Sequence, residues 1–470
     1  MSKIELDVEY VGVFWEPGID APRLSGALKF SNHSDILTLL SDSDRWKPEH
    51  LPRPTDPEPT FDRLFGTVLG LGDVTLLHAR SNGRREDMPH LTSLEFTGFT
   101  AIIGTHSTSD EYSSLRLELE YLNGWAPARP IAERTDDGWS IPMVDETQTT
   151  TTVNDSVLSI ERYVANTWSI DEVSARNVWS FWVRGSISID EIAASWAPAL
   201  QDFLMVAVGY RPNLLGAFLG LSQGSSAPFA DLRTWWPRMG PSDRESPRLI
   251  RHLPDSRTLL LPDDELLPLA TALSTWFASK DDLRAPIALL SASLIAGVEL
   301  EARFLSLFVA FDALTKPLYP RQEIQPDQHN IRVESVRSAL LAAGTESSIC
   351  GWAIEQLKRS NQKGQQTIVE EGLAGSGIIP NEHVNPLAKL LNDIRVDIAH
   401  KGIVRKIHDD TIAVRFYYLA ELLEWLVRHE ILIRLGVPRE QLSARITGNA
   451  RFRDLLTQLG QLGMSNAPDR

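Results

Sequence analysis

The chain has 470 residues and a formal net charge of −16, with 43% hydrophobic and 23% charged residues. This composition is typical of a soluble globular protein, and the length predicts roughly two to four domains. The negative charge argues against broad, non-specific binding of nucleic acid. Any nucleic-acid site must therefore be a local basic patch.

The single cysteine, Cys350, excludes an intrachain disulfide and is typical of proteins in a reducing compartment. The first residues lack the apolar segment of a secretory signal, and no apolar run approaches the ~20 residues of a membrane span. We therefore expect a cytoplasmic protein that does not interact with a membrane.

The N-terminal part shows the short apolar–polar alternation of β-strands. Candidate strands are residues 4–14, 24–30, 36–40, 67–71, 74–77, 94–103 and 115–121. Glycines punctuate them, and this spacing predicts a sandwich or a partly closed barrel. Ten of the 13 tryptophans precede residue 240, which predicts an aromatic-rich core. The Pro-rich segment 46–61 is expected to be a surface loop, because proline cannot supply ladder hydrogen bonds.

The character of the sequence changes from strand to helix in the middle of the chain. Residues 177–188 are predicted to form a strand and residues 189–208 a helix, with a kink or a fresh start at Pro198. Turn-forming residues place a domain boundary near residues 240–260. Helical periodicity follows at residues 263–279, 288–314, 333–343 and 349–357, and a polar stretch, 360–378, joins them to the last helices. The prediction is an α+β multidomain protein, with a β-rich region at 1–240 and an all-α bundle at 260–470.

The last two helices carry the clearest signals. Asn385 is a favourable N-cap, and Pro386 suits the first helical position. Apolar residues then recur at helical spacing on one face from Leu387 to Ile398. Gly402 suits the left-handed position that ends a helix. The next helix is predicted to begin at residue 409 or 410 and to end at 435.

Arg395 and His400 on the first of these helices could carry chemistry. Metal-independent RNA cleavage needs a base for the 2′-hydroxyl, a proton donor for the leaving oxygen and a cation for the phosphorane. Histidine titrates near neutral pH, and arginine binds phosphate in a bidentate fork. Two such pairs meeting across a two-fold axis would supply all of these groups.

The spacing of this pair is weak evidence by itself. It recurs at two other places, which are Arg45…His50 and Arg85…His90. Both of these intervals contain a proline, so only Arg395…His400 is predicted to lie on a capped helix. The alternative interpretation is that Arg395 is a surface ion-pair residue and His400 a cation at the helix C-terminus.

A basic cluster follows the helix. Lys401, Arg405 and Lys406 come directly after His400, and Arg415 lies on the next helix. Such a cluster in an acidic protein is what a phosphate-binding site requires. The alternative is an ordinary solvated loop.

Several segments together resemble a known family. Residues 395–400 (RVDIAH), followed by a long helix, resemble the HEPN domain, whose signature is an arginine followed a few residues later by a histidine. Residues 301–314 resemble an HEPN helix of the ApeA type. Residues 24–30, 65–77 and 101–106 resemble elements of the ApeA N-terminal domain, the last one partially, since Ser107 stands where the family has an aromatic residue.

The resemblance implies a ribonuclease of abortive anti-phage defence. Its catalytic residues would be Arg395 and His400, supported by Asn392, Asp312, Lys401, Arg405 and Lys406. It implies cleavage without a metal or other cofactor, leaving a 2′,3′-cyclic phosphate, by a homodimer formed through the HEPN domain. The expected partners are RNA, with tRNA as one candidate, and a phage-derived trigger sensed by the β-rich region.

Two alternatives remain open at this point. Val396 stands where the superfamily usually has a polar residue, often Asn, which favours a catalytically inactive HEPN module that binds RNA or a partner. The second alternative is a β-sandwich ligand-binding protein with a helical oligomerisation domain. His78, His90 and His106 are not at metal-ligand spacing, so no metal site is expected.

Overall fold

The computed structural model describes residues 7–18, 23–31, 35–42, 60–88, 91–126, 133–135, 138–140, 146–168, 173–220, 230–234, 257–262, 266–295, 297–319, 324–359, 361, 363–401 and 410–461. Within these residues the N-terminal part consists mainly of strands and the C-terminal part of helices. This confirms the predicted α+β class.

Eight strands form in the first part of the chain. They are β1 (Glu9–Trp15), β2 (Leu24–Lys29), β3 (Ile36–Asp42), β4 (Thr60–Val68), β5 (Gly72–Met88), β6 (Leu91–Thr97), β7 (Thr100–Ile103) and β8 (Glu111–Leu119). The candidate 67–71 was wrong as a separate strand, because β4 ends at Val68 and a tight turn leads to β5. The candidate 94–103 is two strands, because Gly98 adopts a positive φ of 69° between them. Most of the predicted loop 46–61 lies outside the described residues.

Six of these strands close into a barrel. Their order is β5-β4-β1-β2-β3-β6, and β6 pairs back with β5, all in antiparallel fashion. The interior is filled by a separate hydrophobic cluster that includes Phe14, Leu28, Leu39 and Phe96. The barrel is therefore a packed core rather than a container, as expected for a barrel with few strands.

Glycines allow the barrel strands to approach the ring of Phe14. A Cβ atom on Gly66 would lie 2.5 Å from Phe14 Cδ1 and 2.9 Å from Val74 Cγ2. A Cβ atom on Gly26 would lie 2.5 Å from the carbonyl oxygen of Thr38. Both glycines belong to the segments that resemble the ApeA N-terminal domain, so close packing explains why these positions lack a side chain.

The sheet continues beyond the barrel. The remaining strands are β9 (Glu133–Thr135), β10 (Gly138–Ser140), β11 (Glu146–Val153), β12 (Ser156–Trp168), β13 (Val173–Ser188), β14 (Leu214–Gly220) and β15 (Ala230–Thr234). From β5 the order is β7-β15-β14-β8-β13-β12-β11, while β9 and β10 form a separate pair. Strand β5 makes both arrangements possible, because its first half pairs with β7 and its second half with β6.

Three helical segments accompany this sheet. Helix α1 spans Leu122–Trp125, α2 spans Ile189–Glu191, and α3 spans Ala197–Val208. Ser188 and Glu191 form a capping box at the start of α2. A π-helical turn at Ile192–Trp196 precedes α3, and Pro198 lies in its first turn. The predicted interruption near Pro198 is therefore confirmed.

The C-terminal part contributes ten described helices. They are α4 (Leu269–Ser279), α5 (Arg284–Ser293), α6 (Leu300–Thr315), α7 (Pro326–Ala342), α8 (Ser347–Arg359), α9 (Gln365–Ser376), α10 (Asn381–Lys401), α11 (Asp410–Arg434), α12 (Arg439–Gly448) and α13 (Ala450–Leu459). The predicted end of α11 is confirmed, and Gly436 after it has a positive φ of 98°.

Three details of the helix prediction were wrong. The run 288–314 is two helices, α5 and α6, separated at Gly297, whose φ is 81°. The stretch 360–378 contains α9, whose Gly372 would bring a Cβ atom to 3.1 Å from the ring of Phe311. Helix α10 begins at Asn381, so Pro386 lies inside it rather than at its start. The helix continues through the proline while burying Val384 and Leu387. The predicted stop at Gly402 lies outside the described residues.

The main hydrophobic core joins the sheet to the helices. One cluster includes Leu117 and Phe181 of the sheet together with Trp276 and Leu426 of the helices. Four N-terminal tryptophans are buried, which are Trp125, Trp179, Trp182 and Trp196. The division at residues 240–260 stays a prediction. None of the described helices combines the length and the apolar character needed to cross a membrane.

We expect Gly66→Ala to lower the free energy of unfolding by about 1–3 kcal/mol, because the new methyl group would overlap Phe14 and Val74. Urea denaturation followed by circular dichroism measures the change. The control is Gly351→Ala on α8, where an added Cβ meets no atom within 4 Å. This control should change stability by no more than about 1 kcal/mol. Equal stability of the two variants would contradict the packing argument.

Candidate functional site

Helix α10 carries the predicted catalytic pair, and its apolar face is packed as predicted. Leu387, Leu391 and Ile398 are buried, and Ile394 is half-buried. This face contacts α9 and α6. The register of the helix is therefore fixed by packing, and the places of the other residues around the helix follow from it.

Arg395 and its neighbours lie away from the centre of this face. Arg395, Asn392 and Val396 are half-buried, and Ala399 is exposed. Arg395 makes no hydrogen bond or ion pair with any residue that the structure describes.

His400 and Lys401 form the last residues of α10. Five residues of helix correspond to about 7.5 Å along the axis, so Arg395 and His400 lie more than one turn apart on α10. Arg405 and Lys406 lie outside the described residues. The structure thus places the two predicted catalytic residues on one helix and gives no geometry for the basic cluster.

Asp312 lies on α6 and is half-buried. Its Oδ1 accepts a hydrogen bond from Nε2 of Gln365 at 2.9 Å. No hydrogen bond or ion pair joins Asp312 to Arg395 among the described residues. Asp312 therefore links α6 to α9 in this conformation, and its predicted support of the site remains a prediction.

Sequence reasoning missed a set of buried charged residues on α11. The stretch 421–430 (ELLEWLVRHE) contains Glu421, Glu424, Arg428, His429 and Glu430, and each is no more than 3% exposed. A helix with this spacing of charges resembles a surface helix, so the burial could not be predicted. The only available signal was that apolar residues fill the other positions between Glu421 and Arg428 and follow Glu430, as in a helix that is apolar on most sides.

Arg428 caps a helix from the other half of the chain. Its Nε donates to the carbonyl oxygen of Val206 at 2.9 Å, and its Nη2 donates to those of Ala207 at 3.1 Å and Arg257 at 2.8 Å. Val206 and Ala207 lie in the last turn of α3, where carbonyl groups lack intrahelical partners and the helix dipole favours a cation. Gly209, with a φ of 76°, ends α3 and leaves no room for a Cβ atom beside Arg428.

Burial lowers the pKa of Arg428 to about 9, and the nearby carboxylate of Glu424 opposes this shift. The guanidinium therefore stays protonated at neutral pH. Glu424 accepts hydrogen bonds from Arg257 at 3.1 Å and from Arg303 on α6 at 3.0 Å. Buried charges of opposite sign thus connect α11 to α6 and to the segment after α3.

A second buried network surrounds Glu430. Its Oε1 lies 3.0 Å from Nδ1 of His429 and accepts from Nη1 of Arg439 at 2.8 Å. Burial raises the pKa of Glu430, but the hydrogen bonds from His429 and Arg439 outweigh this effect and lower the pKa to about 2. The network fixes α12 against α11, because Arg439 is the first residue of α12.

Comparison with known proteins covers the N-terminal part. Residues 9–193 match the model of the family described as ApeA N-terminal domain 1. This part of the chain is ApeA-like, as the three N-terminal segments predicted. No curated protein and no solved structure matches the chain. The match ends within the π-helical turn before α3, so it covers the barrel and most of the extended sheet but not the helices that follow.

No group of three or more His, Cys, Asp or Glu side chains lies close enough to hold a metal ion in the part of the chain that the structure describes. His78 and His106, two of the three histidines considered above, are among the residues searched. His106 Nε2 instead lies 2.9 Å from the carbonyl oxygen of Gly66.

We expect Arg428→Met to lower the free energy of unfolding by about 3–5 kcal/mol, because three carbonyl oxygens and Glu424 would lose a buried cation. Chemical denaturation at neutral pH measures the loss. The control is Arg284→Met at an exposed position of α5, which should change stability by no more than about 0.5 kcal/mol. An Arg428→Met variant as stable as the wild type would show that this capping contributes nothing.

The stability that Glu430 contributes should depend on pH. Because its pKa is lower in the folded state than the ordinary 4.5, this stability is present above pH 4.5 and is lost as the pH falls towards 2. The difference between the wild type and Glu430→Gln should reach up to about 3 kcal/mol near neutral pH. It should shrink steadily between pH 4.5 and 3 in urea denaturation series.

Glu355→Gln is the matched control for this series. Glu355 is exposed on α8 and pairs with Lys358 three residues later. Such a surface pair contributes little, so the control should track the wild type at every pH. A difference between wild type and Glu430→Gln that stays constant from pH 7 to 3 would rule out the titration of Glu430 as its cause.

Proposed function

We propose that the chain is a cytoplasmic, metal-independent RNA endonuclease of the HEPN type that acts in abortive anti-phage defence. The observation that carries the proposal is the ApeA-like N-terminal part, which precedes a helical bundle with Arg395 and His400 on one helix. The β-rich part would act as the sensor of a phage-derived trigger and restrain the nuclease until infection.

The proposed reaction is an internal transfer at phosphorus. The 2′-hydroxyl loses its proton to a base and attacks the phosphorus, and the bond to the 5′-oxygen breaks as that oxygen receives a proton. The products are a 2′,3′-cyclic phosphate and a 5′-hydroxyl. His400 lies at the C-terminal end of α10, where the helix dipole favours the imidazolium, so it suits the role of proton donor. Arg395 would stabilise the charge that develops on the phosphorane.

A second copy of the chain would complete the site. One histidine cannot act as base and acid in the same step, so the base would come from His400 of the partner subunit. Exposed apolar side chains on α6 and α11 support such a contact, and they are Val309, Val414 and Tyr417. Val396 and Ala399, small and not fully buried, would allow two α10 helices to approach closely.

RNA binding would rest on a local basic surface. Lys401, Arg405 and Lys406 follow His400 directly, and Asn392 could bind the sugar or a phosphate from one turn before Arg395. These few cations would have to overcome the repulsion of a chain with net charge −16. Affinity should therefore be sensitive to salt, and structured RNA such as tRNA is the substrate class that the proposal favours.

A catalytically inactive HEPN module is the second candidate. Val396 favours it, because this half-buried apolar residue stands where an active site would be expected to have a polar group. Such a protein would bind RNA or a partner through the same helix without cutting.

We expect purified wild-type protein to cut total cellular RNA into discrete fragments in the presence of EDTA. His400→Ala and Arg395→Ala should each reduce the rate by roughly 10²-fold or more, because one removes the proton donor and the other the cation. His383→Ala is the matched control. It changes the same residue type on the same helix, about 25 Å from His400 along the axis, and should leave cleavage unchanged.

If neither the wild type nor any variant cuts RNA, the protein is either an inhibited enzyme or an inactive module. A second measurement distinguishes these two cases. Cells that express the wild type, His400→Ala or His383→Ala would be challenged with phage, and plaque formation compared. Protection by the wild type and His383→Ala but not by His400→Ala supports the nuclease. Equal protection by all three would rule it out and favour the binding module.

A further inference from the structure

A cavity lies where the sheet meets the helical bundle. It has a volume of about 340 Å³. Its walls come from the turn after β8, the residues that follow α3, the loop between α5 and α6, and the start of α6. No residue of α10 lines it, so it is separate from the proposed nuclease site.

The walls of this cavity are positively charged. Arg211, Arg257 and Arg303 line it, and no carboxylate does. The Nε atoms of Arg257 and Arg303 are buried and have no hydrogen-bond partner among the described residues. Arg257 is itself only 7% exposed.

The residues behind the walls do not neutralise this charge. Glu424 pairs with both Arg257 and Arg303, and Glu421 pairs with Arg451 at 2.6 Å and with Arg257 at 3.8 Å. The buried guanidinium of Arg428 lies behind Gly209, and its Nη1 also lacks a hydrogen-bond partner among the described residues. Four arginines thus face two glutamates in this network. Asp202 interacts with Arg211 and offsets the charge of Arg211 but not the charges of the other arginines. The surplus creates a field that attracts an anion.

Aromatic rings line the same cavity. The rings of Tyr121 and Tyr210 have centroids 5.4 Å apart at an angle of 32°, and the guanidinium of Arg257 lies 5.1 Å from the ring of Tyr210. Tyr121 has a positive φ of 68°, which is strained for a residue with a large side chain. The fold therefore holds a tyrosine at this wall at an energetic cost, as is common where a residue contacts a ligand.

We propose that this cavity binds a small phosphorylated ligand that carries a planar ring, of the nucleoside monophosphate class. The arginines would bind the phosphoryl group, and the tyrosines would contact the ring. The volume lies at the lower end of known ligand sites, roughly 300–1,000 Å³, which suits a mononucleotide and excludes an RNA stem. A ligand here contacts both the sheet and the helical bundle, so its binding stabilises the packing of the sheet against the bundle.

Calorimetry with the full chain tests the proposal. The probes are the four nucleoside 5′-monophosphates, the four nucleosides and inorganic phosphate. At least one monophosphate should bind roughly tenfold more tightly than both inorganic phosphate and its own nucleoside, and should raise the melting temperature. If no monophosphate binds at millimolar concentration, or none exceeds inorganic phosphate, the proposal is wrong.

Two variants locate the binding. Arg303→Gln removes a cation from the wall and should weaken the best monophosphate roughly tenfold or more, while Arg284→Gln on the exposed face of α5 should not. Because Arg303 also pairs with Glu424, the second variant is Val298→Trp, which fills the cavity from the loop and leaves every arginine in place. Binding that survives Val298→Trp, or that Arg303→Gln leaves unchanged in a folded variant, overturns the assignment. Cleavage of RNA is not a readout here, so the outcome is independent of the proposed nuclease.

Discussion

The contact between Arg428 and the end of α3 is the interaction on which the rest of the structure depends. A single guanidinium binds three carbonyl oxygens from segments that lie more than 170 residues before it. Two of these oxygens belong to the end of α3, where that of Ala207 also accepts from the backbone N–H of Leu259 at 2.9 Å. The sheet region therefore cannot leave the bundle without exposing the buried cation together with the carbonyl oxygens that it binds. Trp276 of α4 adds a second contact to α3, because its indole N–H donates to the carbonyl oxygen of Ala199 at 2.9 Å. The contacts of Arg428 and Trp276 with α3 are called the joint below.

This joint explains why the proposed sensing and cutting parts could influence each other. Helix α11 packs against α6 and carries both Arg428 and, two residues later, Glu430 in its last third. The cavity lined by Arg257 and Arg303 lies beside the same joint. The N-terminal sheet and the bundle also share one hydrophobic cluster, so the two parts pack directly against each other.

Local patterns predicted the parts of this molecule that depend on neighbours in sequence. The alternation in residues 24–30 predicted β2, and the periodicity from Leu387 to Ile398 predicted the buried face of α10. The long-range features could not be predicted, because the partners of Arg428 and Glu424 are set by tertiary packing. Pro386 misled the prediction of a helix start, since tertiary burial of Val384 and Leu387 outweighs one lost backbone hydrogen bond. At the candidate site, the sequence predicted the shared helix of Arg395 and His400, but not the bond that Asp312 makes to Gln365.

The closure of the barrel leaves the large sheet with a single end. An open sheet presents two edge strands whose backbone groups can pair with other chains. Here β6 folds back onto β5, so β11 is the one terminal strand of the 13-stranded sheet within the described residues. This strand carries the run Thr149–Thr152, which favours an extended backbone but offers hydroxyl groups rather than an apolar stripe. Within the described residues, a strand that extends this end of the sheet would pair with β11, at the opposite end of the strand order from the barrel.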